Sequence, residues 1–487
     1  MFWKKEKKQT LQKGQQNLSL GLLKEILAHL EDAEIVERQK PEGQCFTFIY
    51  IRTLINQERM NEALFEPVLH CTNESIQDCI STSKAEEIFT LGEAEKQLLA
   101  GSVIIFDSLK KQWWSVLLTN NLGRSIETSD TETILYGAKD SFSEQLDTNI
   151  TLIRRRLPVT QLKSEKLKVG SLSETTVVLM YMEGVTNPEF VSIAKEKINK
   201  INFDLFFDSS QIAAFMEDHQ NSIFPQFQQT DRPDVCAYSL GIGKLIILVD
   251  NTPFVLIGPV TFFHLFQSPE DYINRWPVAS FLRLIRYISF ILSITLIPLY
   301  VALTTHHYQM LPLQILFVLV ESRSKLPFTP FWEALLMLII LEIIKEASLR
   351  MPTKSSQTLG VIGGIVIGQA AVEAGFASKV LIVLVGVSAI ASFLVPNYLV
   401  TKANTMIQFV FLLLSSFLGV FGIALGMIII LAHLNSLTSL RQPYFAPVAP
   451  LYWKDWIDLF IRGPLTKMKT RPDHLHPFQK WRYSKRR

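Results

Sequence analysis

The sequence predicts an α/β N-terminal domain of two subdomains, facing the cytoplasm, followed by an all-α polytopic transmembrane domain. Roughly the first 275 residues contain no long apolar run, whereas nearly every segment of 278–434 is apolar. Four stretches lack any Lys, Arg, Asp or Glu: 287–305, 359–372, 380–396 and 405–434. Because a spanning helix needs about 20 mostly apolar residues, the first and last qualify and the two shorter stretches are borderline.

Composition shifts place the domain boundaries. We predict a first cytoplasmic subdomain at 1–157, a second at 158–270, a transmembrane domain of about four to six membrane segments at 271–434, and a basic tail at 435–487. The proline and mixed polar residues of 157–165 predict a linker. Residues 1–44 lack the apolar core of a signal peptide, so we expect the N-terminal domain to remain cytoplasmic.

Hydrophobic periodicity gives the elements of the first subdomain. Leucines and isoleucines at helical spacing predict an amphipathic helix near 18–36. Runs rich in β-branched and aromatic residues predict strands at 45–52, 102–107 and 113–119. Further helices are expected at 58–69, 84–99 and 143–156.

The second subdomain continues with short strands and one well-marked helix. Strands are predicted at 165–170, 175–182, 235–240, 244–250 and 253–258. Asn187-Pro188 predicts the start of a helix over 188–200. Gly241-Ile242-Gly243 is interpreted as a hairpin turn, because the other features of a phosphate loop are absent from the sequence around it.

The membrane half carries acidic residues where charge is costly. Segment 311–320 is too short to cross and suits an interfacial or re-entrant helix. Segment 328–350 holds Glu333, Glu342 and Glu346. Spacing pairs Glu342 with Lys345 and Glu346 with Arg350, but leaves Glu333 without a local partner. Either Glu333 lies at the membrane interface or it is functional, and both interpretations stay open.

Segment 359–374 is the most unusual of the membrane half. Its small residues Gly360, Gly364 and Gly368 recur every four positions beside Gly363, and Gln369 and Glu373 follow on one face. Small residues at that spacing let helices approach closely in lipid, so a packing surface and a pore lining are both possible. Glycines 419, 422 and 426 give a second small-residue face within 405–434, which we expect to be a single span.

The predicted number of spans conflicts with the predicted location of the two ends of the membrane domain. Our best count of full spans is five, at 287–305, 328–346, 359–374, 380–396 and 405–430. Arg283 and Arg286 place the start of the first helix on the cytoplasmic side, where they can lie at the headgroups, and the basic tail belongs there too. Two cytoplasmic ends require an even number of crossings, so either 328–350 lies partly in the interface or 311–320 contributes a crossing with its neighbours.

We find no motif for catalysis, for a cofactor or for a metal, so the sequence predicts a binding or assembly module rather than an enzyme. The four cysteines, Cys45, Cys71, Cys79 and Cys236, form neither a disulfide framework nor a metal spacing, and we expect reduced thiols. A net charge of +3 is too small to indicate nucleic acid. The basic tail instead favours an anionic membrane surface.

Several motifs resemble one family in order and spacing. They are DTNITLIRRR (147–156), FPQFQQTDRPDVCAYSLGIGKLIILVDNTPFVLIGPVTFFHLFQSPEDYINRW (224–276), KLPFTPFWEALLM (325–337), LGVIGGIVIGQAAVEAG (359–375), ASFLVPNY (391–398) and RQPYFAPVAP (441–450). From about 140 to 465 the chain resembles the A subunit of GerA-type spore germination receptors. Thr329 and Leu338 depart from the pattern usual in that family.

The resemblance implies a multi-pass protein of the endospore inner membrane that acts with a transporter-like B subunit and a lipoprotein C subunit. It also implies a role without catalysis, in an oligomeric, channel-like assembly that responds to small nutrients. We expect Ile365, Val366, Gln369 and Glu373 to face a pore and the glycines of 359–374 to pack. The alternative is a non-conducting signalling scaffold of the same receptor.

Overall fold

The computed structural model describes residues 17–40, 43–70, 79–80, 85–120, 136–324, 326–350 and 368–482. The chain folds into two compact units. The α/β unit comprises 1–217, 227–259 and 469–487, and the helical unit comprises 218–226 and 260–468. Residues beyond 434, expected as one basic tail, contribute to both units, and the four-part division from the sequence stays a prediction.

The first sheet of the α/β unit is a five-stranded antiparallel sheet with the order β1-β2-β4-β5-β3. Its strands are β1 (Ala33–Gln39), β2 (Cys45–Ile51), β3 (Ala85–Glu87), β4 (Ser102–Asp107) and β5 (Gln112–Leu117). Its helices are α1 (Leu20–Ile26), α2 (Gln57–Met60), α3 (Glu66–His70, joined to α2 by a π turn) and α4 (Leu91–Leu99).

Two helices predicted here are shorter than expected. The predicted helix 18–36 ends at Ile26, and residues 33–39 form β1, since pairing with β2 outweighs local helical spacing. Residues 85–87 of the predicted helix 84–99 pair with β5 as β3. Helix α4 then begins after Thr90, which forms a capping box with Glu93.

The second sheet has the order β6-β7-β9-β10-β8, again antiparallel. Its strands are β6 (Leu162–Val169), β7 (Thr175–Met182), β8 (Gln228–Thr230), β9 (Leu245–Val249) and β10 (Val255–Gly258). Helices α5 (Leu146–Arg156), α6 (Pro188–Lys200), α7 (Ser209–Met216) and α8 (Pro233–Ile242) complete this part. Asn187 caps α6, as predicted.

The predicted strand 235–240 is wrong, because these residues belong to α8. Pro233 occupies the first turn of that helix, where its missing N–H costs nothing. Gly243, with φ of 105°, ends the helix in the left-handed conformation. The Gly241-x-Gly243 pattern therefore marks a helix end and not a hairpin turn. Similarly, β6 begins at Leu162, inside the predicted linker.

A buried ion pair fastens α5 within the α/β unit. Arg154 donates from Nε and Nη2 to the two carboxylate oxygens of Asp32, each at 2.5 Å. Further bonds link Arg154 to Ser164 Oγ at 3.2 Å, and Thr53 Oγ1 to Asp32 at 2.7 Å. Both charged side chains are almost fully enclosed. Such a bidentate, fully hydrogen-bonded pair holds one geometry.

The helical unit contains eight α-helices among its described residues. They are α9 (Glu270–Ile273), α10 (Trp276–Thr305), α11 (Leu313–Arg323), α12 (Pro330–Leu349), α13 (Gly368–Glu373), α14 (Lys379–Phe393), α15 (Tyr398–Leu418) and α16 (Val420–Ser436). Helices α10 and α15 are long and apolar enough to cross a membrane, and α14 and α16 are shorter apolar helices. The chain thus combines an α/β N-terminal region with an apolar helical region, as predicted.

The expected single span 405–434 is wrong, because the chain turns at Gly419. That glycine has φ of 60° and ψ of −140°, a conformation essentially restricted to glycine. A Cβ on Gly422 would lie 2.2 Å from Leu414 O, and one on Gly426 would lie 2.6 Å from Phe411 Cε1. The second small-residue face therefore packs α15 against α16 as an antiparallel hairpin.

The cysteines also differ from expectation at one position. Cys45 and Cys236 are free thiols, whereas Cys79 is disulfide-bonded. The spacing of the cysteines speaks against a framework of several disulfides and against a metal site, but it does not exclude a single disulfide bond. The expectation of four reduced thiols is therefore wrong for Cys79.

Candidate membrane site

Most of the predicted glycine segment lies outside the described residues. Gly360, Gly363, Gly364, Ile365 and Val366 are in that part, and their pore and packing roles stay predictions. The described part begins at Gly368, which is buried, and an added Cβ there would meet Ile382 Cγ2 of α14 at 3.7 Å.

The two polar residues predicted to line the pore are both exposed on α13. Gln369 Nε2 donates to Glu373 Oε1 at 2.9 Å, as their four-residue spacing allows. They share one face of a short helix, and their predicted contact with a pore is not tested by the arrangement within one copy of the chain.

Glu333 lies in the first turn of α12 and is completely enclosed by protein. Its Oε1 accepts a hydrogen bond from the backbone N–H of Ser378 at 2.5 Å. Ser378 is the N-cap of α14, so the carboxylate faces the positive end of that helix's dipole. Tyr300 of α10 contacts the hydroxyl of Ser378 at 3.2 Å.

The partner that the sequence did not reveal for Glu333 is Arg323, at the end of α11. The Arg323 Nε atom lies 3.5 Å from Glu333 Oε2. Within the described residues, neither of these two atoms has a hydrogen-bond partner. Glu333 thus carries one strong bond and one loose ion pair at the meeting point of α10, α11, α12 and α14. An enclosed carboxylate with spare acceptor capacity can change partners when helices move.

The other two predicted acids form a more open cluster farther along α12. Glu342 lies 3.7 Å from Lys345, and Glu346 lies 2.9 Å from Arg350, which confirms the predicted spacing pairs. Lys402 of α15 adds a bond of 3.0 Å to Glu346 and a contact of 3.9 Å to Glu342. The sequence analysis missed Lys402, because it began the apolar run at 405.

A polar cluster, which we define as Ser293, Ser388, Asn404 and Gln408, lies buried where α10, α14 and α15 meet. Asn404 Nδ2 donates to Ser293 Oγ at 2.6 Å, and Gln408 Nε2 donates to Ser388 Oγ at 2.9 Å. Ser388 Oγ in turn donates to the Ser293 carbonyl at 3.0 Å. Asn404 Oδ1 has no partner among the described residues. Four-residue spacing of Asn404 and Gln408 could have indicated one polar face.

A cluster of buried ion pairs lies at the start of α10. Arg283 donates to Asp271 at 3.0 Å and to the Asp458 carboxylate at 3.0 Å, and Arg286 donates to Asp271 at 2.8 Å. The sequence analysis placed both arginines at headgroups. In the structure their side chains are enclosed, because two aspartates from outside the helix neutralise them.

These groups link the helices of the helical unit through buried hydrogen bonds and ion pairs. Among the described residues there is no cluster of three or more His, Cys, Asp or Glu able to hold a metal ion.

Comparison with known proteins gives consistent matches over most of the chain. The family model described as Bacillus/Clostridium GerA spore germination protein matches residues 21–474. Spore germination protein GerQA of Bacillus cereus is 38% identical over 439 residues, covering 89% of this chain and 88% of that protein. Spore germination protein A1 of Bacillus subtilis is 32% identical, covering 89% of this chain and 91% of that protein.

Two further matches have other names. The uncharacterized membrane protein YfkQ of Bacillus subtilis is 35% identical, covering 88% of this chain and 85% of that protein. A crystal structure of the N-terminal domain of the A subunit of the Bacillus megaterium spore germinant receptor GerK3 aligns with a TM-score of 0.40 at 23% identity. It covers 50% of this chain and 94% of that one, and the likeness is too distant to support an argument.

Proposed function

The chain belongs to the Bacillus/Clostridium GerA spore germination protein family, and we propose that it is the A subunit of a nutrient germinant receptor. The match over 21–474 carries this proposal. In it, the chain resides in the endospore inner membrane as a multi-pass protein with its N-terminal domain in the cytoplasm. A transporter-like B subunit holds the nutrient, and a lipoprotein C subunit completes the receptor.

The membrane half then works as one copy of an oligomeric, ligand-gated ion channel. Support comes from ionisable and amide groups enclosed among apolar helices, which are costly in lipid and mark function more often than chance. The break at Gly419 is compatible with six membrane segments in place of five, and six is an even count of the kind that two cytoplasmic ends require. Segment 359–374 remains the proposed pore wall.

Glu333 is the proposed coupling group of the channel. It joins the starts of α12 and α14 while its second oxygen stays loosely paired. A rearrangement that moves α11 away from α12 would release this oxygen for water or for a cation. The charge of the Glu333 side chain should therefore matter more for coupling than its volume does.

Ion release from spores tests the coupling role. Spores carrying Glu333→Gln should release monovalent cations at least about tenfold more slowly after nutrient, or leak them without it, because the neutral amide keeps the volume and loses the charge. The matched control is Glu321→Gln, the same change at an exposed position on the neighbouring α11. Equal release from both variants contradicts the role of Glu333.

Planar bilayers separate the channel from the non-conducting scaffold. Purified protein should carry ion current, and Ile365→Ala or Val366→Ala should raise the current without nutrient if these residues form an apolar constriction. Gly364→Leu should block assembly. A preparation that is oligomeric and binds its partner subunits but carries no current favours the scaffold.

Isolation from spore membranes tests the partners. A tagged chain should co-purify with a B-type and a C-type subunit, and Gly364→Leu should reduce self-association more than it reduces partner recovery. A solitary chain in mild detergent, from spores that germinate normally, contradicts the oligomeric channel.

A further inference from the structure

The segment 451–465, which we call the aromatic collar, carries a largely exposed apolar face. Its exposed side chains are Leu451, Trp453, Ile457, Ile461 and Leu465, each between 40% and 69% accessible. Five large apolar side chains on 15 consecutive positions form a patch of the kind that marks an interaction surface.

The opposite face of the collar is firmly packed. Leu459 is buried, and the ring of Phe460 lies 5.3 Å from that of Tyr287 on α10 and 5.7 Å from that of Phe263. Trp456 packs edge-on against Phe460 at 5.7 Å. The exposed face therefore belongs to an ordered segment whose own core is already complete.

Hydrogen bonds fix the level of the collar along α10. Ser280 Oγ donates to the Arg462 carbonyl at 3.1 Å, and Arg283 Nη1 donates to the Asp458 carbonyl at 2.7 Å. Tyr287 OH donates to the Leu459 carbonyl at 3.4 Å. The collar thus lies beside residues 280–287, within the first three turns of the helix.

If α10 crosses a bilayer, its length compared with the thickness of the hydrocarbon core indicates where the turns at 280–287 lie. Its 30 residues extend about 45 Å, whereas the hydrocarbon core is about 30 Å thick, so roughly ten residues project beyond it. The stretch from Tyr287 to the end of the helix fills the core alone. Buried Arg283 and Arg286, with their aspartates, identify the start of α10 as the projecting end.

Residues beside the projecting turns meet the boundary between headgroups and acyl chains. Phe281 and Leu284 are 63% and 49% accessible there, so the apolar face of α10 continues to the level of the collar. Tryptophan is enriched at this depth because its ring is apolar and its N–H is polar. Exposed Lys454 and Lys467 lie beside the apolar positions, where they can meet lipid phosphates.

We infer that the aromatic collar is an interfacial membrane anchor that inserts Trp453, Ile457 and Ile461 into the lipid boundary beside α10. The inference rests on α10 crossing the bilayer, which is part of the proposed function, and does not depend on ion conduction. The collar fixes the depth of α10 through the Arg283–Asp458 pair, and lipid is its partner.

Fluorescence quenching in nanodiscs tests the anchor. Single cysteines replace Trp453, Ile457 or Ile461 in the full chain, in a background where all four native cysteines are alanine, and carry an environment-sensitive dye. Lipids with a nitroxide near the headgroup should quench these dyes several-fold more than a dye at Lys166→Cys, an exposed position of the α/β unit. Aqueous iodide should show the reverse order.

Two other results for the dyes on the collar would each contradict the anchor. Dyes on the collar that respond to iodide like the Lys166 position overturn the anchor, and dyes protected from both quenchers indicate a protein cover and overturn it equally. A dye at Ile291→Cys, on the exposed face of α10, should be quenched by nitroxides deep in the acyl chains. Failure at Ile291 contradicts the membrane crossing of the proposed function, whereas failure at the collar alone contradicts only the anchor.

Discussion

Two buried charged sites, one from each unit, are paired in different ways. In the α/β unit, Arg154 and Asp32 meet through two bonds of 2.5 Å, and further bonds to Ser164 and Thr53 complete the site. In the helical unit, Glu333 has one such bond and an ion pair at 3.5 Å. A saturated pair keeps one geometry, whereas a site with spare capacity can exchange partners. The two sites therefore differ in how tightly their charged groups are held.

The largest effect should follow from breaking the saturated pair. Asp32→Asn leaves Arg154 buried without a counter-charge, which should cost about 3–5 kcal/mol and lower the thermal midpoint of the purified chain. Asp147→Asn is the control, because Asp147 is exposed and its pair with the half-buried Arg52 should contribute below about 1 kcal/mol. Equal midpoints for the two variants would remove the contrast between the units.

A buried lysine of the α/β unit should make the free energy of unfolding depend on pH. Burial lowers the pKa of Lys244 from 10.5 to about 7. Between these pH values the unfolded chain binds a proton on Lys244 and the folded chain does not, so the free energy of unfolding rises with pH by about 1.4 kcal/mol per unit. The contribution is lost as pH falls toward 7. Lys244→Met should flatten this slope between pH 7.5 and 9.5, and the exposed control Lys166→Met should keep it.

The polar cluster of the helical unit should tolerate an apolar replacement. Asn404→Leu removes a carbonyl oxygen that has no partner among the described residues, so the lost bond to Ser293 is partly offset. We expect a cost under about 1.5 kcal/mol together with altered nutrient response of the spores. Ser388→Ala is the variant for comparison, because the Ser388 hydroxyl both donates and accepts a hydrogen bond. A larger loss of midpoint for Asn404→Leu than for Asp32→Asn would reverse the comparison.

The smallest effect is expected at the open acidic cluster. Glu346 is shared by Lys402 and Arg350 and is about half exposed, so Glu346→Gln should leave the thermal midpoint unchanged within error. Adding salt should abolish whatever difference remains. A midpoint change as large as that of Asp32→Asn would mean that this open cluster is held as tightly as the saturated pair.

Sequence reasoning succeeded where a local pattern decides the structure. The Asn187-Pro188 start of α6, the pairing of Glu346 with Arg350 and the change from α/β to apolar helices all follow from neighbouring residues. It failed where distant residues decide. The bond to Glu333 comes from Ser378, 45 positions later, and β1 exists only because β2 pairs with it. The turn at Gly419 was hidden, because an apolar run has the same composition whether it is straight or folded back.

The turn at Gly419 has a consequence for biogenesis. Since α15 and α16 are antiparallel and in close contact, both outer ends of the pair lie on one side, so under the proposed membrane location the two helices should enter a bilayer together. The imidazole of His307 occupies the space that any Cβ at position 419 would need. A substitution at position 419 should therefore disturb formation of the helix pair, and the expected phenotype is a lower amount of the protein rather than an altered threshold for nutrient.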